Sequence, residues 1–303
     1  MKNRILSLVL MLAVLSAAVS GCGNQGGQMR PPAEGDTLTA QQIVDMLRLG
    51  WPLHLKGCII KGTLDFTEVS GGSGLVAIAP SYVYSDIVFA HCVFEDSVTS
   101  FSERENAQKF YTVFERNVVM QECEFKRGVN FTQADFRGRL DFDVSKVAGD
   151  AAFDGCRFRN GASFAMANFN GVASFVSSVF GGRANFMKSF FRKSVVFQRC
   201  KWEDMVMFAD SHFYGYAEFA KMTALGDIDY SNSQFHDRAV FMRSMYLGNI
   251  KFANCVFKKT LDFSGNTLME QPVFKEAQLP DGGATAEDNV MIQKNKIDCF
   301  NIK

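Results

Sequence analysis

The chain has 303 residues, and its 32 lysines and arginines balance 32 aspartates and glutamates for a formal net charge of zero. That balance argues against a general electrostatic grip on nucleic acid, and equally against a strongly acidic mimic of one. Thirty phenylalanines and 25 glycines point to a large apolar core broken by frequent turns.

Lys2 and Arg4 precede an apolar run from Ile5 to Ala18, and the small residues Val19, Ser20 and Gly21 lead into Cys22. A basic start, a short apolar core and a small-residue exit describe a secretory signal over residues 1–21, too short for a stable membrane-spanning helix. The segment Val19–Cys22 resembles the lipobox of bacterial lipoproteins. The resemblance implies cleavage before Cys22, a diacylglyceryl group on its thiol and acylation (palmitate being one such chain) of the new amino terminus. The expected address is the cell envelope, with the protein facing the periplasm or exterior. Gly23 replaces the aspartate associated with inner-membrane retention, which favours the outer membrane in a Gram-negative cell. Several acyl chains hold a protein to a bilayer far better than one. Loss of residues 1–21 leaves 30 basic against 32 acidic residues. Residues 22–36 are rich in Gly, Gln and Pro and read as a lipidated flexible tether.

Residues 37–52 are expected to form a capping helix. Thr39 and Gln42 have the capping-box spacing, Ile43, Met46 and Leu47 make an apolar stripe, and Gly50 and Pro52 stop it. Such a helix would cover the open strand edges at the top of a β-helix. Residues 53–279 carry a repeat. It starts with Leu55, Ile60 and Phe66, each two residues after Leu53, Cys58 and Leu64. The register breaks over 67–86, resumes at Phe89 and Phe94, and breaks again over 95–110. These two insertions are candidate functional surface, because excursions from a solenoid often carry partner contacts.

From Phe114 the phase holds to Leu279. Phe131, Phe142, Phe153, Phe164 and Phe175 begin a series with a step of eleven, and Phe136, Val147, Phe158, Phe169 and Phe180 begin a second series five residues behind. The residue two before each is small or β-branched, so two inward side chains flank one outward one, the alternation of a strand. The strands are short, because polar residues or glycines follow. Frequent glycines, the Val/Phe content and the five-six spacing argue against an eleven-residue helical repeat.

This pattern, as in ADFRGRLDF and ASFAMANFNGVASF, resembles the pentapeptide-repeat family in a variant that alternates five- and six-residue steps. The resemblance implies an all-β fold, a right-handed four-sided β-helix with one unit per face and roughly 22 residues per coil. Sorted at that step, Phe131, Phe153 and Phe175 fall in one column, with Phe142, Phe164 and Phe186 in the opposite one. Two of the small-residue columns hold Ala, Val, Ile or Leu, and the other two hold nearly all the Ser and Cys, which indicates two kinds of corner. Residues 280–303 are expected to be a C-terminal cap and tail.

Cys58, Cys92, Cys123, Cys156, Cys200 and Cys255 all occupy the small inward position. Cys156 and Cys200 share a column two coils apart, about 9–10 Å, beyond the roughly 7 Å reach of a disulfide. All six are therefore expected to be free, with Cys299 the exception in reactivity. His212 and His236 project from one face without a third ligand, so no metal is expected, and no cofactor is implied. The carboxylates Asp141, Glu218, Asp229 and Asp262 do not converge, so no catalytic residues are assigned. Arg199, Lys221 and Arg243 fall at one position of three successive coils and form a possible interaction surface for an acidic partner or lipid headgroups.

The resulting expectation is a non-enzymatic, lipid-anchored scaffold or protein-binding module at the bacterial cell envelope. It is held to the membrane through Cys22, has a protein partner there and binds no nucleic acid. A DNA-mimicking topoisomerase inhibitor, known in the family, needs a cytoplasmic address and an acidic surface. An enzyme acting on envelope polymers needs a catalytic constellation that the insertions do not supply.

Overall fold

The computed structural model describes residues 31–70, 77–104, 107–281, 283–293 and 296–300. The lipobox and Cys22 lie outside these residues. Two compact units are distinguished, Met1–Pro32, nearly all of it outside the described residues, and Ala33–Lys303. The second unit is an all-β parallel solenoid of about eleven turns with one short helix near its start.

Four sheets of nine, ten, ten and twelve strands wall the solenoid, so each coil has four faces. Face one begins at Leu53–Lys56, face two at Thr37–Thr39, face three at Leu64–Asp65 and face four at Ile78–Val83. In the uninterrupted coils each strand pairs with the residue 22 positions on, as in Leu140↔Ala162, Lys146↔Asn168, Ala151↔Ala173 and Arg157↔Val179. This register establishes the 22-residue coil. The strands are mostly two residues long because each face must turn after its single inward pair.

The interior is a lattice of rings. Faces one and three oppose each other, and their phenylalanines meet edge to face at the centre; Phe164 and Phe175 lie 5.4 Å apart at 84°. Along each face the rings stack in parallel, as do Phe153 and Phe175 at 4.9 Å and 5°. The second series stacks likewise on faces two and four, for example Phe158 on Phe180 at 4.5 Å. The strand spacing of about 4.8 Å lies within the range at which offset rings attract, so hydrogen-bonded coils bring the rings to contact without strain.

Two kinds of corner join the faces. Before faces two and four the turn carries a residue with positive φ, such as Lys188 and Asp210 on one side and Ser177 and Arg199 on the other. Phe175, Val176, Ser177 and Ser178 form one such turn, closed by Ser178 N–H donating to Phe175 O at 3.1 Å, and positive φ at the third residue is the type II pattern. At the corners before faces one and three, several coils carry glycine where the backbone of the preceding coil leaves no room for a Cβ. A Cβ on Gly248 would clash with the backbone of Gly226 and lie 2.7 Å from Asp227 N.

Several boundaries differ from those expected. The helix spans Ala40–Arg48, with Thr39 and Gln42 forming the reciprocal capping box; Thr37–Thr39 is a strand of face two rather than part of the helix. The insertions are shorter than 67–86 and 95–110. Ile78–Val83 is a regular strand of face four paired to Lys109–Phe114, and Val98–Thr99 pairs with Leu64–Asp65 and Val129–Asn130 on face three. The second excursion begins with Phe101–Glu103, which folds back antiparallel on Lys109–Tyr111. The solenoid also passes residue 279. Ala284–Thr285 continues face three and Asn289–Gln293 continues face four. One extra residue in the Pro280–Gly283 turn shifts the pairing step from 22 to 23 (Leu261↔Ala284), which hides the last coil from a fixed-period search. Lys296–Phe300 then pairs antiparallel with Asn289–Gln293 as the terminal strand of face four.

Candidate functional site

The core faces inward and is filled, so the residues available to a partner are the outward ones and the corners. Arg199, Lys221 and Arg243 sit at the positive-φ corner between faces three and four, one per coil, all exposed. The coils before them place Gly155 and Ser177 at this corner, and Gly265 follows. The Arg243 side chain leans along the solenoid, its Cγ within 3.4 Å of where a Gly265 Cβ would be. Among the described residues none of the three basic groups forms an ion pair, whereas neighbouring Lys201 is held by Glu203 at 2.6 Å.

His212 and His236 lie on face two in an outward stack. His236 lies 4.4 Å from Tyr214, His212 lies 5.1 Å from Phe190, and the two imidazoles are 6.1 Å apart. Arg192 covers the Tyr214 ring at 4.7 Å, and Lys258 Nζ reaches His236 Nδ1 at 3.2 Å. Desolvation, then the charges of Arg192 and Lys258, holds His212 below the usual histidine range; desolvation, then Lys258, does the same to His236. The ring faces are used in contact with one another. No group of three or more potential metal ligands occurs among the described residues.

The carboxylates are engaged locally on separate coils. Glu218 accepts from Gln198 Nε2 at 2.6 Å, Asp229 from Ser231 N at 2.8 Å and Asp262 from Ser264 Oγ at 2.6 Å. Asp141 accepts from Asp143 N at 3.1 Å, and burial raises its pKa. A groove of about 490 Å³ lies over face three, where Asp150 is the one ionisable lining residue. Its carboxylate already accepts from Val172 N at 2.8 Å.

The six inward cysteines are free and buried. Burial raises the thiols of Cys156 and Cys200, and pushes Cys255 up to about 12. One arrangement escaped the sequence reading. Cys58, Cys92 and Cys123 immediately precede the paired residues Ile59, Val93 and Glu124, so they stack on three successive coils of face two. A 22-residue step misses them because the two excursions lengthen their separations; allowing each inserted segment its own offset would have revealed the column. A side-chain hydrogen bond with Cys123 holds the Cys92 thiol below its ordinary value, and the same bond, then burial, raises Cys123.

The inward serines also have a geometric reason. Ser178 Oγ donates to Phe153 O at 2.5 Å and accepts from Cys156 N at 3.1 Å. Ser211 Oγ likewise donates to Phe186 O at 2.6 Å and accepts from Ser189 N at 3.2 Å. Each hydroxyl therefore caps the positive-φ turn of the preceding coil, a turn that recurs before faces two and four. Cysteine fills the same place, as where Cys200 Sγ lies 3.0 Å from Phe175 O.

No curated protein and no solved structure is significantly similar to this chain. A family model described as pentapeptide repeats (9 copies) matches residues 110–156, 153–201 and 175–223. Proteins of that family are generally non-catalytic structural repeat proteins. The matched residues 110–223 coincide with regular four-faced coils of the parallel solenoid, so the family pattern and the observed register agree over that stretch.

Proposed function

We propose that this protein is a non-enzymatic, lipid-anchored scaffold or protein-binding module of the bacterial cell envelope, on the outer membrane if the cell is Gram-negative. The observation that carries the reading is the division of the chain. The repeats supply a filled, rigid core, while exposed side chains recur in register at one-coil spacing, with Arg199, Lys221 and Arg243 as a ladder free of ion pairs among the described residues. A rigid rod with regularly spaced outward groups suits sustained contact with a partner. The lipobox at Val19–Cys22 supports the envelope address, with the Cys22 thiol as the lipid site and residues 22–36 as the tether. Face three's groove and the engaged carboxylates lack the paired acid and base that hydrolysis of an envelope polymer requires. The near-neutral charge disfavours a nucleic-acid mimic.

The test is in-cell cross-linking with recovery of envelope fractions from wild type, Cys22→Ser and a form whose residues 71–76 and 104–107 are replaced by glycine linkers. Envelope proteins captured by wild type and lost from Cys22→Ser support the anchored module. Retention by the linker form places the contact on the solenoid faces, and loss from it places the contact on the excursions. A Cys22→Ser protein that fractionates and cross-links like wild type overturns the reading.

A further inference from the structure

The last coils of face four carry an exposed apolar row that core packing does not require. Leu225, Leu247, Met269 and Ile292 each lie one residue beyond an inward side chain, and the pairings Ala224↔Tyr246, Tyr246↔Leu268 and Leu268↔Met291 put them in line on four successive coils. They are 43%, 38%, 41% and 37% exposed, and Met245 beside Leu247 is 43% exposed. Across the same face, four residues earlier along two of these coils, stand Lys221 and Arg243, with Arg199 one coil before. The basic and apolar rows therefore run side by side over two coils, roughly 10–13 Å apart by strand rise; Glu203, paired to Lys201, takes the apolar row's position on the Arg199 coil, and Asp288 takes the basic row's position on the Ile292 coil.

We propose that this part of face four is a docking surface for an anionic lipid bilayer. The apolar row enters the headgroup–acyl boundary and the basic corner meets lipid phosphates. Charge complementarity selects this occupant: the three cations are exposed and lack ion pairs among the described residues, and an anionic leaflet rewards each such charge near its surface. The form of the apolar row agrees. It is a single line of Leu, Met and Ile side chains, one per coil. The inference relies on the proposed lipid anchor only to bring a membrane near; docking then lays the solenoid along that membrane instead of leaving it to stand free on its tether.

The test uses residues 33–303, the unit that contains the entire described core, so that failure of docking and failure of the anchor remain distinct. Vesicles of phosphatidylcholine alone and of phosphatidylcholine mixed with phosphatidylglycerol are floated with the protein at low and high salt. Binding to the mixed vesicles that weakens with salt is expected. The combined Arg199→Gln, Lys221→Gln, Arg243→Gln variant should lose on the order of 100-fold in partitioning, and the combined Leu225→Ser, Leu247→Ser, Met269→Ser variant should also lose binding. Far-ultraviolet circular dichroism checks that both variants are folded, and Arg116→Gln, Arg139→Gln, Lys146→Gln serves as a charge-matched control that retains binding. Absence of binding to mixed vesicles by the wild-type unit overturns the proposal, as does equal binding by the folded basic-row variant. A dimer in sedimentation that dissociates in the apolar-row variant, without vesicle binding, assigns the surface to a second copy and also overturns it.

Discussion

Faces one and three and faces two and four are built from the same five- and six-residue units, yet they hold the coils together differently. On the first pair, small apolar residues flank phenylalanines that meet at the centre of the solenoid. On the second, a serine or cysteine in most coils reaches back to cap the turn of the coil before. The contrast follows from the corners. At a positive-φ turn the inward carbonyl and N–H, bonded to each other, each make a further hydrogen bond to the next coil's hydroxyl, whereas a corner built on glycine brings the backbones of successive coils into close approach. One unit thus serves two tasks, and the residue two before the aromatic records which.

The largest effect should come from the apolar pair. Phe175→Ala removes a ring that stacks on Phe153 and Phe197 and meets Phe164 and Phe186 edge to face. It should cost about 3–5 kcal/mol in urea unfolding. A loss below about 1 kcal/mol would mean that the central lattice is not tightly packed. At the glycine corners, Gly248→Ala must push the coils apart and should cost roughly 1–3 kcal/mol; a neutral outcome would contradict the close approach. On the polar pair, Ser211→Ala removes the hydroxyl's bonds to Ser189 N–H and Phe186 O, which keep their own turn hydrogen bond at 3.2 Å, for an expected loss of about 0.5–1.5 kcal/mol. The hydroxyl-capping account predicts that Ser211→Cys, which refills the position as Cys200 does, is milder than Ser211→Ala.

The columns of aromatic and small residues, the capping box and the two kinds of corner were legible in the sequence because each imposes a fixed residue type at a fixed step. Three things were not. Ser and Cys segregation is visible as a pattern, but its cause needs the carbonyl of Phe153 and the N–H of Cys156 placed beside Ser178. The Cys58, Cys92 and Cys123 stack is hidden by excursions of unequal length. The last coil is hidden by one added residue before Ala284. The apolar row of face four was overlooked for a different reason: Leu225, Leu247 and Met269 sit beside the inward positions and read as ordinary repeat variation until exposure distinguishes them.

Two smaller predictions sharpen the contrast between the face pairs. Buried thiols cluster on faces two and four, and most have pKa values raised above the ordinary 9.0, Cys255 to about 12. A folded pKa above the unfolded one contributes stability that is fully present below the unfolded value and lost as pH rises toward the folded one. Urea midpoints should therefore fall between about pH 9 and 12, by up to about 1.4 kcal/mol per pH unit for each such thiol, and Cys255→Ala should reduce that slope. An unchanged slope would show that Cys255 is not shielded. On face one, Tyr230 takes a phenylalanine place, and its buried hydroxyl has no hydrogen-bond partner among the described residues. Tyr230→Phe should leave stability equal or raise it by about 1 kcal/mol; a loss of that size would reveal a partner for the hydroxyl.

The claim on which the functional account depends most is that this solenoid is held to a membrane through Cys22. Intact-mass and N-terminal peptide analysis of the protein extracted from the membrane fraction tests it most directly. The account predicts a chain that begins at Cys22 and carries a diacylglyceryl group on its thiol. A chain that retains residues 1–21, or one with an unmodified Cys22 thiol, would contradict it.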